Sequence, residues 1–234
     1  MLRSTVGQEI AELVEQEARV LLERVGIHSP PVDAFRVANE LGLTIQIDPM
    51  LKTRGYSRKR WELGTIVVGS KNPGKSERKQ FTIAHEIGEV SLRGKVEEAV
   101  LEEASNLMAV NLLLPREWFC RDAKASDFDL LELKMIYSTV SHEVISSRML
   151  EFRLMIITIF DNGKLYRRKS SYPFPVRTSY PLERQCLMDV TASGKKIFLS
   201  DEKIRVTGWP IFWQDWKRVI LGTEFDEWEV SSRQ

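Results

Sequence analysis

The sequence contains few cysteines and no long hydrophobic run. Among its 234 residues there are two cysteines, Cys120 and Cys186, without Cys-x-x-Cys spacing, which argues against a disulfide framework and against a cysteine zinc site. We expect each to be a small buried apolar residue. No hydrophobic run approaches the roughly 20 residues that span a bilayer. The amphipathic, acid-rich N-terminal segment also lacks the hydrophobic block of a signal peptide, so we expect a cytoplasmic protein.

An excess of charge of either sign is also missing. The net charge is +1, and 43% hydrophobic with 29% charged residues is ordinary for a folded globular protein. The balance gives no general signature of nucleic-acid binding. The segment 52–79 is locally rich in lysine and arginine, and we interpret it as solvated loop surface.

Hydrophobic periodicity predicts the elements of the first half of the chain. Apolar residues at three- and four-residue intervals indicate amphipathic helices, and alternating or β-branched runs indicate strands. The predicted helices cover residues 5–25, 32–41, 76–92 and 96–114, and the predicted strands cover residues 43–47 and 64–69. We therefore expect helices that accompany a small sheet.

Two further helices, residues 127–137 and 141–152, are joined by a short turn and have the outline of a helix-turn-helix. The second offers possible groove or phosphate contacts, although helix packing without DNA is the commoner explanation of such an outline. These contact residues are Ser146, Ser147, Arg148 and Arg153.

The last part of the chain has the pattern of a small α+β unit. Residues 154–160 predict a strand, and Asp161-Asn162-Gly163 predicts a hairpin turn into residues 164–168. Residues 167–181 contain three prolines and are interpreted as a linker or long loop. The tryptophans that follow are expected in the core: Trp209, Trp213, Trp216 and Trp228.

A histidine and two acids share one helix in the motif His85-Glu86-x-x-Glu89. Residues four apart lie on the same helix face, so His85 and Glu89 point into one volume, with Glu86 on the adjoining arc. In the zinc peptidase motif H-E-x-x-H, two histidines hold the metal and the glutamate acts as general base. We predict His85 and Glu89 as metal ligands and Glu86 as the base of a peptide hydrolase.

The third metal ligand is expected from the next helix. Glu102 is our choice because Asn106, one turn later, is placed to orient it. Glu98 and Glu103 remain alternatives. Two carboxylates with one imidazole put more negative charge on a metal than the H-E-x-x-H set does, so Mn²⁺ and Mg²⁺ are candidates besides zinc.

The runs FTIAHEIGE and EEASNLMAVNLLLP resemble the ImmA/IrrE family of zinc metallopeptidases, whose usual forms are close to FTLAHELGH and E-x-E-A-N-x-F-A-x-x-LLMP. The likeness extends upstream through PPVDAFRVANELGLTIQI and downstream through DLLELKMIYSTVSHEVISSRMLEFRL. By position, His85 matches the first metal ligand, Glu86 the general base and Glu102 the acid of the second helix. Glu89 stands where the family usually has its second histidine.

The resemblance implies an α+β protein with a gluzincin-like peptidase domain, a helix-turn-helix-like helical middle and a GAF-like C-terminal domain. We place these at residues 1–120, 121–153 and 154–234. It also implies cleavage of a helix-turn-helix repressor in a stress or mobile-element response. Two alternatives remain: a catalytically inactive pseudo-peptidase that binds or senses without turnover, and direct DNA binding through the middle helices.

Overall fold

The structure, a computed structural model, describes residues 7–48, 64–69, 76–176 and 178–226. It divides at Ile145 and Ser146 into two compact units, which are described separately below. Most of the predicted basic loop and Trp228 lie outside the described residues. The boundaries of the three predicted domains stay predictions.

Helices dominate the N-terminal unit. They are α1 (Gln8–Arg24), α2 (Ala34–Glu40), α3 (Ser76–Leu92), α4 (Glu98–Leu113), α5 (Arg116–Ala125) and α6 (Leu130–Ile136), followed by α7 (His142–Met149), which continues into the second unit. The buried positions of α1, such as Val14 and Leu22, are those that the apolar period places on one face. The predicted helices of the first half are present with ends shifted by up to three residues.

A two-stranded parallel sheet accompanies these helices. Strands β1 (Thr44–Asp48) and β2 (Thr65–Gly69) pair with Ile45 opposite Ile66. Ile66 is buried, whereas Ile47 of β1 is 50% exposed, so the apolar alternation of β1 gives only a partly covered face. Strand β2, which is buried, packs against α3, and β1 packs against α2.

Hydrogen bonds fix the start of α3 against α2. Asp33 caps α2 by accepting from the backbone N–H of Phe35 at 2.9 Å. Gln80 of α3 donates from Nε2 to Asp33 Oδ1 at 2.9 Å and accepts from the backbone N–H of Ala34 at 2.6 Å. These contacts orient the helix that carries the His85 motif.

The same helix packs closely on α4 at Gly88. A Cβ atom added there would lie 2.8 Å from Met108 Cβ and 3.2 Å from the carbonyl oxygen of Ser105. Only glycine allows the two helix backbones to approach this closely without displacing a neighbour. The close approach brings the side chains one turn away, on His85 and Glu102, into contact.

The middle helices differ from the sequence prediction at their start. Asp127 and Phe128 have φ values of 47° and 58°, and Asp129 caps α6 by accepting from two backbone N–H groups, so the helix begins at Leu130 rather than Asp127. In α7, Ser146 is 0% and Arg148 is 2% exposed. Two of the four predicted DNA-contact residues are therefore buried.

A five-stranded antiparallel sheet forms most of the C-terminal unit. Its order is β4-β3-β7-β6-β5, and helix α8 (Pro181–Ser193) packs against β5, β6 and β7. The strands are β3 (Ile156–Asp161), β4 (Lys164–Ser170), β5 (Ile197–Ser200), β6 (Ile204–Trp213) and β7 (Trp216–Phe225). The predicted hairpin is present, with positive φ at both Asn162 and Gly163.

Two predictions for this unit are corrected. The stretch 167–181 is not loop throughout, because β4 continues to Ser170 and α8 starts at Pro181. Trp209 is buried at 2% exposure, but Trp213 is 66% exposed. The latter precedes the turn at the tip of the β6–β7 hairpin, where its ring extends beyond the covered part of the sheet.

Helix α8 packs into the core of the C-terminal unit through Cys186 and Val190. A Cβ atom at Gly208 of β6 would lie 2.8 Å from Cys186 Sγ and 2.6 Å from Val190, so glycine is needed for this contact. Burial raises the pKa of Cys186 to about 12. Cys186 is the expected small buried residue, whereas Cys120 is partly exposed.

The predicted α+β class is confirmed. Among the described residues, no helix has both the length and the apolar character needed to cross a membrane.

Candidate metal centre

The ring of His85 lies between α3 and α4, and its side chain is 14% exposed. Its Nδ1 is 3.2 Å from Asn106 Oδ1, and its Nε2 is 3.5 Å from Glu102 Oε2. An amide oxygen only accepts hydrogen bonds. In the neutral imidazole, Nδ1–H therefore donates to Asn106, and the lone pair of Nε2 faces Glu102.

The orientation of the Asn106 amide follows from its other contacts. Its Nδ2 donates to the backbone carbonyl of Glu102 at 2.9 Å and lies 3.5 Å from Glu102 Oε1. With the amide nitrogen committed to Glu102, the amide oxygen faces His85. A histidine that ligates a metal usually donates its second ring N–H to an oxygen acceptor, and Asn106 provides that acceptor while it also contacts Glu102.

Glu86 and Glu89 complete a compact group of donor atoms around His85. Each of the three residues offers one ligand atom, and these atoms lie within 4.8 Å of one another. Glu86 is 4% exposed, which suits a carboxylate that acts within a closed site. The helical spacing of the motif thus brings His85, Glu86 and Glu89 together, whereas Glu102, the predicted third ligand, is not part of this group.

Glu89 also forms an ion pair with Arg93, which directly follows the end of α3 at Leu92. Arg93 Nη2 donates to Glu89 Oε1. The side chain of Glu89 is 22% exposed and that of Arg93 is 46% exposed. The guanidinium of Arg93 is therefore bonded to the residue that stands where the family usually has a histidine.

Three acids of α4 are candidates for the third metal ligand: Glu98, Glu102 and Glu103. All three are exposed, the side chain of Glu102 at 78%, but Glu102 contacts His85, with its Oε2 3.5 Å from Nε2. The contact of Glu102 favours it over the two alternatives. Sequence reasoning overlooked Arg93, although its four-residue spacing from Glu89 was a sufficient signal for a helical ion pair.

The donor set fits a divalent cation. One imidazole nitrogen and several carboxylate oxygens converge at the α3–α4 contact, and both donor types bind zinc. The excess of oxygen donors also suits Mn²⁺ and Mg²⁺. These residues could therefore hold a divalent cation, and the donor types do not determine which one.

Residues 28–149, more than half of the chain, match the profile of the IrrE N-terminal-like domain. The chain belongs to the IrrE N-terminal-like family. The match spans α2 to α7 and so includes the whole His85 cluster. This family relation makes the chain a metallopeptidase-like protein, and it confirms the resemblance noted in the sequence.

A solved structure described as a Mycobacterium tuberculosis transcriptional regulator shares the fold of this IrrE-like chain. The TM-score is 0.64 at 15% sequence identity, and the match covers 94% of this chain and 76% of that chain. Identity this low shows the fold alone. No curated protein matches the chain in sequence.

Proposed function

We propose that the chain is a metal-dependent endopeptidase that cleaves a helix-turn-helix transcriptional repressor, as part of a stress or mobile-element response. The observation that supports this most strongly is the placement of His85 beside Glu86 and Glu89. Its Nδ1 is hydrogen-bonded to Asn106, and its Nε2 lies 3.5 Å from Glu102. The family relation supports a peptidase, and the structural likeness to a transcriptional regulator supports a regulatory role. A repressor partner implies a cytoplasmic location.

His85, Glu89 and Glu102 would hold the ion, which we expect to be zinc, with Mn²⁺ or Mg²⁺ as alternatives. When bound, the ion supplies Lewis acidity that polarises a peptide carbonyl and acidifies water. Glu86 would accept the proton of the attacking water at its carboxylate and pass it to the leaving amine. Asn106 would keep the imidazole of His85 in the ligating tautomer.

Incubation of the protein with a candidate helix-turn-helix repressor tests the proposal. Purified protein loaded separately with Zn²⁺ or Mn²⁺ should cut the repressor at a defined bond, detected by mass spectrometry. Glu86→Gln should lower the cleavage rate by at least about 100-fold while the bound metal stays, because it removes the general base. Glu103→Gln is the matched control on the exposed face of α4. Equal cleavage by the Glu86→Gln variant would contradict the assigned role.

A catalytically inactive pseudo-peptidase is the second candidate, and the Glu89–Arg93 ion pair favours it. In this form the chain would bind the repressor or sense a ligand through a GAF-like C-terminal domain without turnover. Glu89→His separates the two candidates. Metal binding and cleavage gained only in this variant would support the pseudo-peptidase, whereas cleavage by the wild-type protein would exclude it.

Direct DNA binding through α7 is not proposed as the main function. Ser146 and Arg148 are buried, and Arg148 Nη1 donates to both carboxylate oxygens of Glu151 at 2.8 Å. A buried, paired guanidinium is not presented to a phosphate backbone.

A further inference from the structure

We infer that Arg93 competes with the divalent cation for the carboxylate of Glu89 and thereby lowers the metal affinity of the site. The inference rests on the proposed metal site. Arg93, which lies outside the H-E-x-x-E motif, would then also determine how tightly the site binds a metal. In this arrangement the guanidinium of Arg93 pairs with Glu89, the residue that stands where the family usually has a histidine.

The carboxylate of Glu89 lies between the proposed metal position and the guanidinium of Arg93. Glu89 contributes a donor atom to the group with His85 and Glu86, all within 4.8 Å. The same side chain accepts a hydrogen bond from Arg93 Nη2. A guanidinium bonded to a carboxylate lowers the negative charge available to a metal, and it repels a divalent cation at short distance.

The charge of the cluster explains why a cation is favoured there. Glu86, Glu89 and Glu102 bring three carboxylates to one imidazole, and like charges at short distance disfavour one another. Arg93 offsets one of these charges. A histidine at position 89 would add no negative charge and would offer Arg93 no carboxylate partner, so the ion pair depends on the glutamate.

A purely structural role accounts less well for this pair. An arginine next to the C-terminal end of a helix is favoured by the helix dipole, and Arg93 directly follows α3, but exposed ion pairs spaced four residues apart add little stability. Both members of this pair are partly exposed, at 22% and 46%. The distinguishing feature is that the acid partner belongs to the donor group around His85.

Metal titration of Arg93→Gln tests the inference. Chelator-treated full-length protein is titrated with Mn²⁺ and with Zn²⁺ by calorimetry. We expect Arg93→Gln to bind about tenfold more tightly than wild type, because the competing charge is gone. Arg93→Lys, which keeps the charge but loses the planar fork, should fall between the two. Arg19→Gln removes an equally charged residue from an exposed position on α1 and should bind like wild type.

The effect of Arg93 on metal affinity should also depend on the carboxylate of Glu89. In a Glu89→Gln background, the additional change Arg93→Gln should raise the affinity clearly less than in the wild-type background, since no carboxylate remains to be released and only the repulsion between the guanidinium and the metal is removed. Wild-type affinity in Arg93→Gln, or an equal gain in the Glu89→Gln background, would overturn the inference while leaving the metal site intact. Binding in Arg93→Gln but not in wild type would support it. Absence of binding in every variant, Glu89→His included, would overturn the metal site and this inference together.

Discussion

Two glutamate–arginine pairs in this protein show how burial changes the role of the same interaction. Glu89 and Arg93 lie at the candidate metal centre with side chains 22% and 46% exposed. Glu183 and Arg168 lie in the C-terminal unit with side chains 3% and 11% exposed. The first pair joins the last turn of α3 to the residue that directly follows it, whereas the second joins helix α8 to strand β4.

The buried pair has a complete set of hydrogen bonds around its acid. Glu183 Oε1 accepts from Arg168 Nη1 at 2.9 Å and from Thr223 Oγ1 at 2.6 Å. Glu183 Oε2 accepts from the backbone N–H of Tyr180 at 2.9 Å. The carboxylate thus connects α8, β4 and β7 and is committed to the fold. Glu89, by contrast, lies in a group of possible metal-ligand atoms, where we propose that a metal competes with its arginine partner.

Removal of the buried acid should have the largest effect on stability. Glu183→Gln should lower the free energy of unfolding by about 3–5 kcal/mol, because it leaves the guanidinium of Arg168 buried without its counter-charge. Urea denaturation followed by tryptophan fluorescence measures the loss. Glu202→Gln, at an exposed position in the same unit, is the control. Equal stability of the two variants would show that the buried pair does not hold this unit together.

Removal of the Asn106 amide should have the next largest effect, on metal affinity. Asn106→Ala should weaken metal binding by about 10–100-fold, because the acceptor that orients a metal-ligating histidine is lost. Calorimetric titration of the metal-free protein measures the change, with the exposed Asn39→Ala as the control. Unchanged affinity would mean that the contact between Asn106 and His85 does not prepare the ring for a metal.

The smallest expected effect is that of Arg93 on stability. Arg93→Gln should change the free energy of unfolding by no more than about 0.5 kcal/mol, as is usual for exposed ion pairs on a helix. The same urea experiment measures it beside Glu183→Gln. A loss as large as that of Glu183→Gln would make Arg93 a structural residue and remove the contrast between the two pairs.

Local patterns in the sequence predict α3, α4 and the His85 cluster, because helical spacing alone brings His85, Glu86 and Glu89 together. The contact of Glu102 with His85 depends on the packing of two helices, and the sequence leaves it open between three acids. The exposure of Trp213 was mispredicted, because apolar character does not show where a hairpin extends beyond its sheet.

Helix α8 was overlooked although its end signals are in the sequence. Pro181 stands at its start, Glu183 completes a capping box and Gly194 ends it with a φ of 64°. The preceding prolines favoured a loop and obscured these signals. The role of Glu183 depends on contacts with β4 and β7, which are distant in sequence, so local patterns do not predict it.

Metal titration of the wild-type protein beside His85→Ala tests the central claim most directly. We predict one divalent ion per chain in the wild type and none in His85→Ala, with both proteins folded by circular dichroism. Binding that persists in His85→Ala, or the absence of Zn²⁺, Mn²⁺ and Mg²⁺ binding from the wild type, Arg93→Gln and Glu89→His alike, would contradict a metal centre at the contact of α3 and α4.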